Sequence, residues 1–401
     1  MITRVFRAFR YRDFRLVWSG ACISSIGTWM QKLAQSWLVL EISGSAFWLG
    51  LDAFLGEIPI FLFSLVGGVA ADRIDRRRIL IAGQFLQMSC ALALAGLVAS
   101  GAVEVWHILC LSFLVGLAQA FGGPAYAALI PSLVKPRELP NAIAMNSIQF
   151  NIARVLGPMA GGLALTKLGA AWCFLLNGLS YLAPITSLLL IRARFTPKRT
   201  ADSILESIRQ GFAFIRRQTA MEALIALAFS MTIFGLPVIV FLPVFARDVF
   251  GGGPEIYTLL LSLSGAGSIT GALLVAAFGH GRHKGRATLL AMVALGAAIT
   301  GFALSRHLAL SSALLFLGGA SLVVVFAMVT SLVQLIAVED MRGRVMSVYN
   351  VAFRGGMPIG SLLTGTLVPV FSAPVVVGAS GAVLALLGLY FLLIHRKIAT
   401  L

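Results

Sequence analysis

The sequence predicts an all-α membrane protein of twelve transmembrane helices in two pseudo-symmetric six-helix bundles, with both termini cytoplasmic. Three observations predict it: composition, the length of the apolar runs, and the alternation of basic charge between loops. Of the 401 residues 59% are hydrophobic and 11% charged, against about 45–50% and 25% in soluble domains. Mean hydropathy is +0.95, and the apolar residues fall in runs of about 18 or more, the length that crosses roughly 30 Å of hydrocarbon. Lipid is therefore the solvent.

The runs lie near 15–41, 46–70, 79–99, 105–130, 140–166 and 171–191, then 221–246, 256–279, 287–305, 309–337, 344–370 and 375–394. One loop is longer than the rest. Within it Ile204, Ile208, Phe212 and Ile215 recur at helical spacing opposite Arg209, Arg216 and Arg217, the pattern of a helix lying in the membrane interface. The expected organisation is an N-terminal bundle over 1–193, a cytoplasmic linker over 194–218 and a C-terminal bundle over 219–401.

A net charge of +16 would suit a nucleic-acid partner if the basic residues shared one surface. They fall instead in alternate loops. Of 31 Lys and Arg, 25 lie on one side, in clusters such as Arg73, Arg76, Arg77 and Arg78, or Arg282, Lys284 and Arg286, or Arg396 and Lys397. The other side has Lys167, Arg247 and Arg306. The positive-inside rule then orients both termini to the cytoplasm and excludes nucleic acid. The N-terminus lacks the short apolar stretch and small-residue cleavage site of a secretory leader, so the first run is expected to remain a span. Cys22, Cys90, Cys110 and Cys173 sit singly in apolar runs with no ligand spacing, so no metal is expected. Neither G-x-x-x-x-G-K-[ST] nor H-E-x-x-H occurs, and the chain is not expected to be an enzyme.

The halves repeat. Ser147, Asn151, Arg154 and Pro158 in the fifth run are matched by Ser347, Asn350, Arg354 and Pro358 in the eleventh, three of them offset by 200 residues and the asparagine by one fewer. Two six-helix units with an internal repeat point to a transporter that works by rocking one half against the other.

After the second run comes Gly68-Val-Ala-Ala-Asp72-Arg73-Ile-Asp75-Arg76-Arg77-Arg78. It resembles the signature G-x-x-x-D-R-x-G-R-R of the major facilitator superfamily, with Asp75 where that pattern has glycine. Gly157-Pro158-Met159-Ala160-Gly161-Gly162 resembles the G-P-x-x-G-G motif of the superfamily's drug/proton antiporters. Phe14 to Gly20, Gly27 to Gln31 and Pro140 to Ala144 look like the bacterial branch of the enterobactin exporter and macrolide efflux proteins. The resemblance implies a cytoplasmic latch built from Gly68, Asp72, Arg73 and Arg76, with Arg342 and Arg344 at the start of the eleventh span as neighbours of Asp72. Arg77 and Arg78 are read as setting topology alone.

Ionisable residues in hydrocarbon are costly and mark function. Lys32, Asp52, Glu57, Arg154 and Arg354 all lie inside apolar runs. A hairpin folded at Gly44 brings Lys32 and Glu57 to similar depth, and the superfamily fold makes Arg354 a second partner for Glu57 or Asp52. Two readings stand: structural ion pairs, or proton coupling with Glu57, then Asp52, as carrier and Lys32, Arg154 and Arg354 as charge partners. Thr28, Gln31, Lys32 and Gln35 form a polar stripe on the first span. The resemblance makes Thr28, Gln31 and Gln35, with Gln119 and Gln334, the substrate-facing set; interhelical hydrogen bonding is the other reading. Gly157, Gly161, Gly162, Gly267 and Gly271 give small faces for close helix approach, and Pro158 and Pro358 bend their helices.

The expectation is a monomeric, multi-pass transporter of the bacterial inner membrane. It would be a proton-coupled exporter, by alternating access, of a drug, siderophore or other amphipathic organic molecule, with no cofactor beyond the proton gradient. A lipid or lysolipid transporter, an uptake facilitator and a non-transporting receptor are the alternatives.

Overall fold

The computed structural model describes residues 6–192, 204–278, 283–394 and 398–399. Within them the chain is helical, without strands. The basic linker stretch with Arg194, Lys198 and Arg199 lies outside the described residues, as do Arg282, Arg396 and Lys397.

The first six long helices are α1 Arg12–Ser43, α2 Ala46–Arg73, α3 Arg76–Ala99, α4 Val105–Leu133, α5 Leu139–Leu168 and α6 Ala170–Leu190. A linker helix, Ile204–Arg216, follows. Then come α7 Thr219–Val249, α8 Pro254–Phe278, α9 Lys284–Leu304, α10 Leu308–Ile336, α11 Arg342–Phe371 and α12 Ala373–Leu393.

Their ends follow from local chemistry. Gly44 takes a left-handed φ of 63° and its N–H donates to the Leu40 carbonyl, closing α1 in a conformation that costs other residues steric strain. Asp75 accepts from the Arg77 N–H at 2.9 Å and caps α3, which is what an aspartate gains over glycine at this turn. In α7 the π-turns Met231–Gly235 and Phe245–Val249 flank Pro237 and Pro243. Each proline lacks an N–H, which disrupts the regular ladder there.

Among the described residues nine helices are long and apolar enough to cross a membrane. This is a multi-pass membrane protein. The long helices outside those nine are α1, α5 and α11, of 32, 30 and 30 residues, and they are the ones bearing Lys32, Arg154 and Arg354. Their length suffices at 1.5 Å per residue.

The chain divides into two compact units, Met1–Gly44 with Leu55–Ala201, and Ser45–Phe54 with Asp202–Leu401. Inside the first unit α1 packs on α5 and α6, and α3 on α4 and α6. Inside the second α7 packs on α11, α8 on α10, and α9 on α10 and α12, while the linker helix docks on α11. A Cβ on Gly211 would meet the Arg344 carbonyl oxygen at 2.6 Å, so glycine sets that docking distance. Ile215 of the linker helix is buried, while Phe212 is exposed with the Arg216 guanidinium 5.8 Å from its ring centroid.

Each unit uses the same close approaches. Gly157 of α5 lies against Trp29 and the Ile26 carbonyl of α1; Gly356 of α11 lies against Thr232 and the Phe229 carbonyl of α7. Gly161 meets Met30, and Gly360 meets Ile233. Gly67 meets Ala120 between α2 and α4, and Gly271 meets Ala320 between α8 and α10. Backbones approach this closely only where a side chain is absent.

These contacts set the register of the repeat. Gly157 corresponds to Gly356 and Gly161 to Gly360, an offset of 199. The asparagines Asn151 and Asn350 keep that offset; the arginines and prolines, offset by 200, are one residue out. One residue is about 100° of helix rotation, so Arg154 corresponds in packing to Phe353 and not to Arg354.

Candidate functional site

The polar stripe of α1 is tied to its neighbours within the first unit. Asn177 of α6, only 1% exposed, donates its amide N–H to Gln31 Oε1 at 2.6 Å. Gln31 reaches Gln35 at 3.4 Å, and Gln35 donates to Ser112 Oγ of α4 at 2.8 Å. Thr28 Oγ1 donates to the Ser24 carbonyl and shares a 3.3 Å hydrogen bond with the Tyr181 hydroxyl. The result is a chain of polar contacts joining α6, α1 and α4. Asn177 is the one amide of α6, whose other polar side chains are hydroxyls, and no motif in the sequence marks it. In hydrocarbon such bonds contribute about 0.6 to 1.7 kcal/mol each. Asn177→Leu is expected to lower the unfolding temperature in detergent by several degrees, since Gln31 loses its donor; an unchanged melting curve would show that the amide is not structural.

Two cations share one indole. Lys32 Nζ lies 5.4 Å from the Trp29 ring centroid and the Arg154 guanidinium carbon 5.9 Å from it. Phe150, 52% exposed, meets Trp29 edge to face at 6.2 Å. Neither cation has an ion-pair partner among the described residues. Arg154 stands about 22 Å from the start of α5 and 21 Å from its end, near the middle of the helix. A cation there costs about 2.5–3.5 kcal/mol on insertion scales, while a cation–π contact returns about 0.5–2 kcal/mol. Trp29 offsets part of the cost.

The acidic candidates lie on α2. Glu57, partly buried, is eleven residues past the start of α2, and Lys32 is eleven before the end of α1. They share one level, about 16 Å from the Gly44 turn. Glu57 has no hydrogen-bond or ion-pair partner among the described residues, so depth does not bring it onto Lys32. Asp52 is 9% exposed and falls in the segment grouped with the second unit. Gln119 of α4 is partly buried, and Gln334 of α10 and Arg354 of α11 are exposed.

The α2–α3 loop is more structured than topology requires. Arg76 pairs with Asp72 at 3.7 Å and donates to the carbonyls of Ala71 at 3.0 Å and Ala128 at 2.8 Å. Arg77 donates to the Leu189 carbonyl at 2.7 Å near the end of α6. Arg77 therefore does more than set topology: it satisfies a carbonyl that the helix end leaves without an intrahelical donor. Arg73 is exposed, and no Cβ contact limits Gly68. Arg342, at the start of α11, is exposed, and Arg344 approaches the Met341 sulfur at 3.5 Å. Gly162 and Pro158 are buried in α5 beside Gly157 and Gly161.

Paired units of long apolar helices, built on the same approaches and carrying ionisable side chains deep in their spans, define a membrane transporter of the major facilitator type. Within that class the chain belongs to the transmembrane secretion effector family, whose model matches residues 3–399. It is 26% identical over 385 residues to the enterobactin exporter EntS of Shigella boydii, covering 95% of this chain and 91% of that one. It is 22% identical over 367 residues to macrolide efflux protein A of Streptococcus pyogenes, covering 88% and 90%. A crystal structure of the peptide transporter POT with sulfate superposes with a TM-score of 0.78 at 14% identity, over 97% of this chain and 95% of that one. That likeness shows the shared fold.

Proposed function

We propose that the protein is a proton-coupled exporter of a drug, siderophore or other amphipathic organic molecule, working by alternating access as an antiporter in the bacterial inner membrane. In this reading α1–α12 are twelve crossings and both termini are cytoplasmic. Export is supported by the family and by relatives named for efflux of a macrolide and of enterobactin. The observation that carries coupling is Glu57, a carboxylate well inside α2 without an ion-pair partner among the described residues. Such a group can take up and release a proton without first breaking a salt bridge. The test is reconstituted export of a macrolide and of a catecholate siderophore, with and without an imposed pH gradient. Accumulation that depends on the gradient supports the antiporter; equilibration indifferent to it indicates a facilitator and overturns coupling.

The loop is proposed to latch the conformational cycle. Asp72→Asn removes the charge that faces Arg76 and leaves the carbonyl bonds of Arg76 in place. Transport is expected to fall at least about tenfold, a change of 1.4 kcal/mol, with membrane expression unchanged. Unaltered flux would remove Asp72 from the cycle.

A further inference from the structure

The Trp29 cluster is not demanded by the fold. The same helix pairing in the second unit is made with Thr232 where the first has Trp29, and the register carries Lys32 to Gly235 and Arg154 to Phe353. The close approach of α7 and α11 is thus achieved with neither cation nor indole. What the first unit adds is two positive charges, at most 11.3 Å apart since they lie 5.4 and 5.9 Å from one centroid.

Both charges are deep in their helices and neither has an acid partner among the described residues. A neutral indole steadies a cation through its quadrupole but cannot cancel its charge. Lys32 is exposed, and Phe150 beside Trp29 presents about half of its surface. Ser147 and Asn151 lie within a turn of Phe150 on α5. A face of this polarity is suited to water, since lipid tails would leave the charges unsolvated.

We propose that Lys32 and Arg154 form an anion-recognition site, steadied by Trp29, for an organic acid whose ionised carboxylate, sulfonate or phenolate sits between the two cations and whose apolar ring lies on Phe150. The inference rests on the transporter reading and deepens it: the cargo carries negative charge. Two donors on different helices fix the orientation of the acid as well as attracting it.

The test is equilibrium binding of pyrenebutyrate and of its neutral amide to the purified full chain in phosphatidylcholine nanodiscs. The wild type is expected to bind the acid at least about tenfold more tightly than the amide. Lys32→Gln and Arg154→Gln should each bring the two affinities to within about threefold, and Lys32→Arg should keep the preference. Size-exclusion profiles and unfolding temperatures matching the wild type show that the variants are folded. Equal affinity of the wild type for acid and amide, absence of binding by either, or a preference surviving in the Lys32→Gln, Arg154→Gln double variant would overturn the site. Loss of the preference when phosphatidylglycerol replaces phosphatidylcholine would assign the cations to a lipid headgroup and overturn the solute. Binding is read without flux, so a failed coupling experiment leaves this result standing, and the reverse.

Discussion

Gly360→Ala is expected to abolish folded protein, or to lower its unfolding temperature in detergent by ten degrees or more. A Cβ at position 360 would fall on the Ile233 carbonyl, with the Ile233 C and Cα both at 2.8 Å. Those atoms are backbone and cannot rotate away, so α7 and α11 must separate. Overpacking by one methyl costs about 1–3 kcal/mol where side chains can adjust, and more is expected where the obstacle is main chain. Ile233 lies in the π-turn four residues before Pro237, so its carbonyl has lost the usual helical donor and sits where the neighbouring helix comes closest. The control is Gly68→Ala, where a Cβ meets nothing within 4 Å and alanine favours the helix; that variant should melt at or above the wild-type temperature. Fluorescence-detected size exclusion after heating distinguishes the two. Equal behaviour would show that the close contact is not what holds α7 to α11.

Glu57→Gln should eliminate export driven by a pH gradient in proteoliposomes while leaving exchange of labelled for unlabelled substrate intact. The amide keeps the shape and hydrogen-bonding capacity of the side chain but cannot release a proton, so only steps that need protonation change are lost. Asp52→Gln is the comparison: Asp52 is more buried and has contacts of its own, so its replacement is expected to depress exchange and driven export together. Driven export persisting in Glu57→Gln would move the proton carrier elsewhere. Loss of exchange in the same variant would make Glu57 a structural or substrate-binding group.

Much of the architecture was legible because the bilayer imposes a simple rule on a sequence. Apolar runs must be helices of spanning length, which is why the expected 46–70, 105–130 and 309–337 lie within a few residues of α2, α4 and α10. Gly44 was legible as a turn for the same reason, standing where a hydrophobic run pauses. Glycine spacing on α5 announced a close helix contact, and Gly157 and Gly161 do face α1.

Hydrophobicity and charge count are local properties of a chain, so the multi-pass helical fold, the internal repeat and the ionisable residues inside apolar runs could be read from the sequence by itself. Tertiary structure alone decided partners and register. The packing contacts place the repeat at an offset of 199, so that Arg154 corresponds to Phe353 and not to Arg354. Packing turned the stripe of Thr28, Gln31 and Gln35 into hydrogen bonds with Tyr181, Asn177 and Ser112. It also brought Lys32 and Arg154 onto one indole. Each of these depends on rotation about a helix axis, where one residue of offset redirects a side chain by about 100°, and only contact with a second helix fixes that angle.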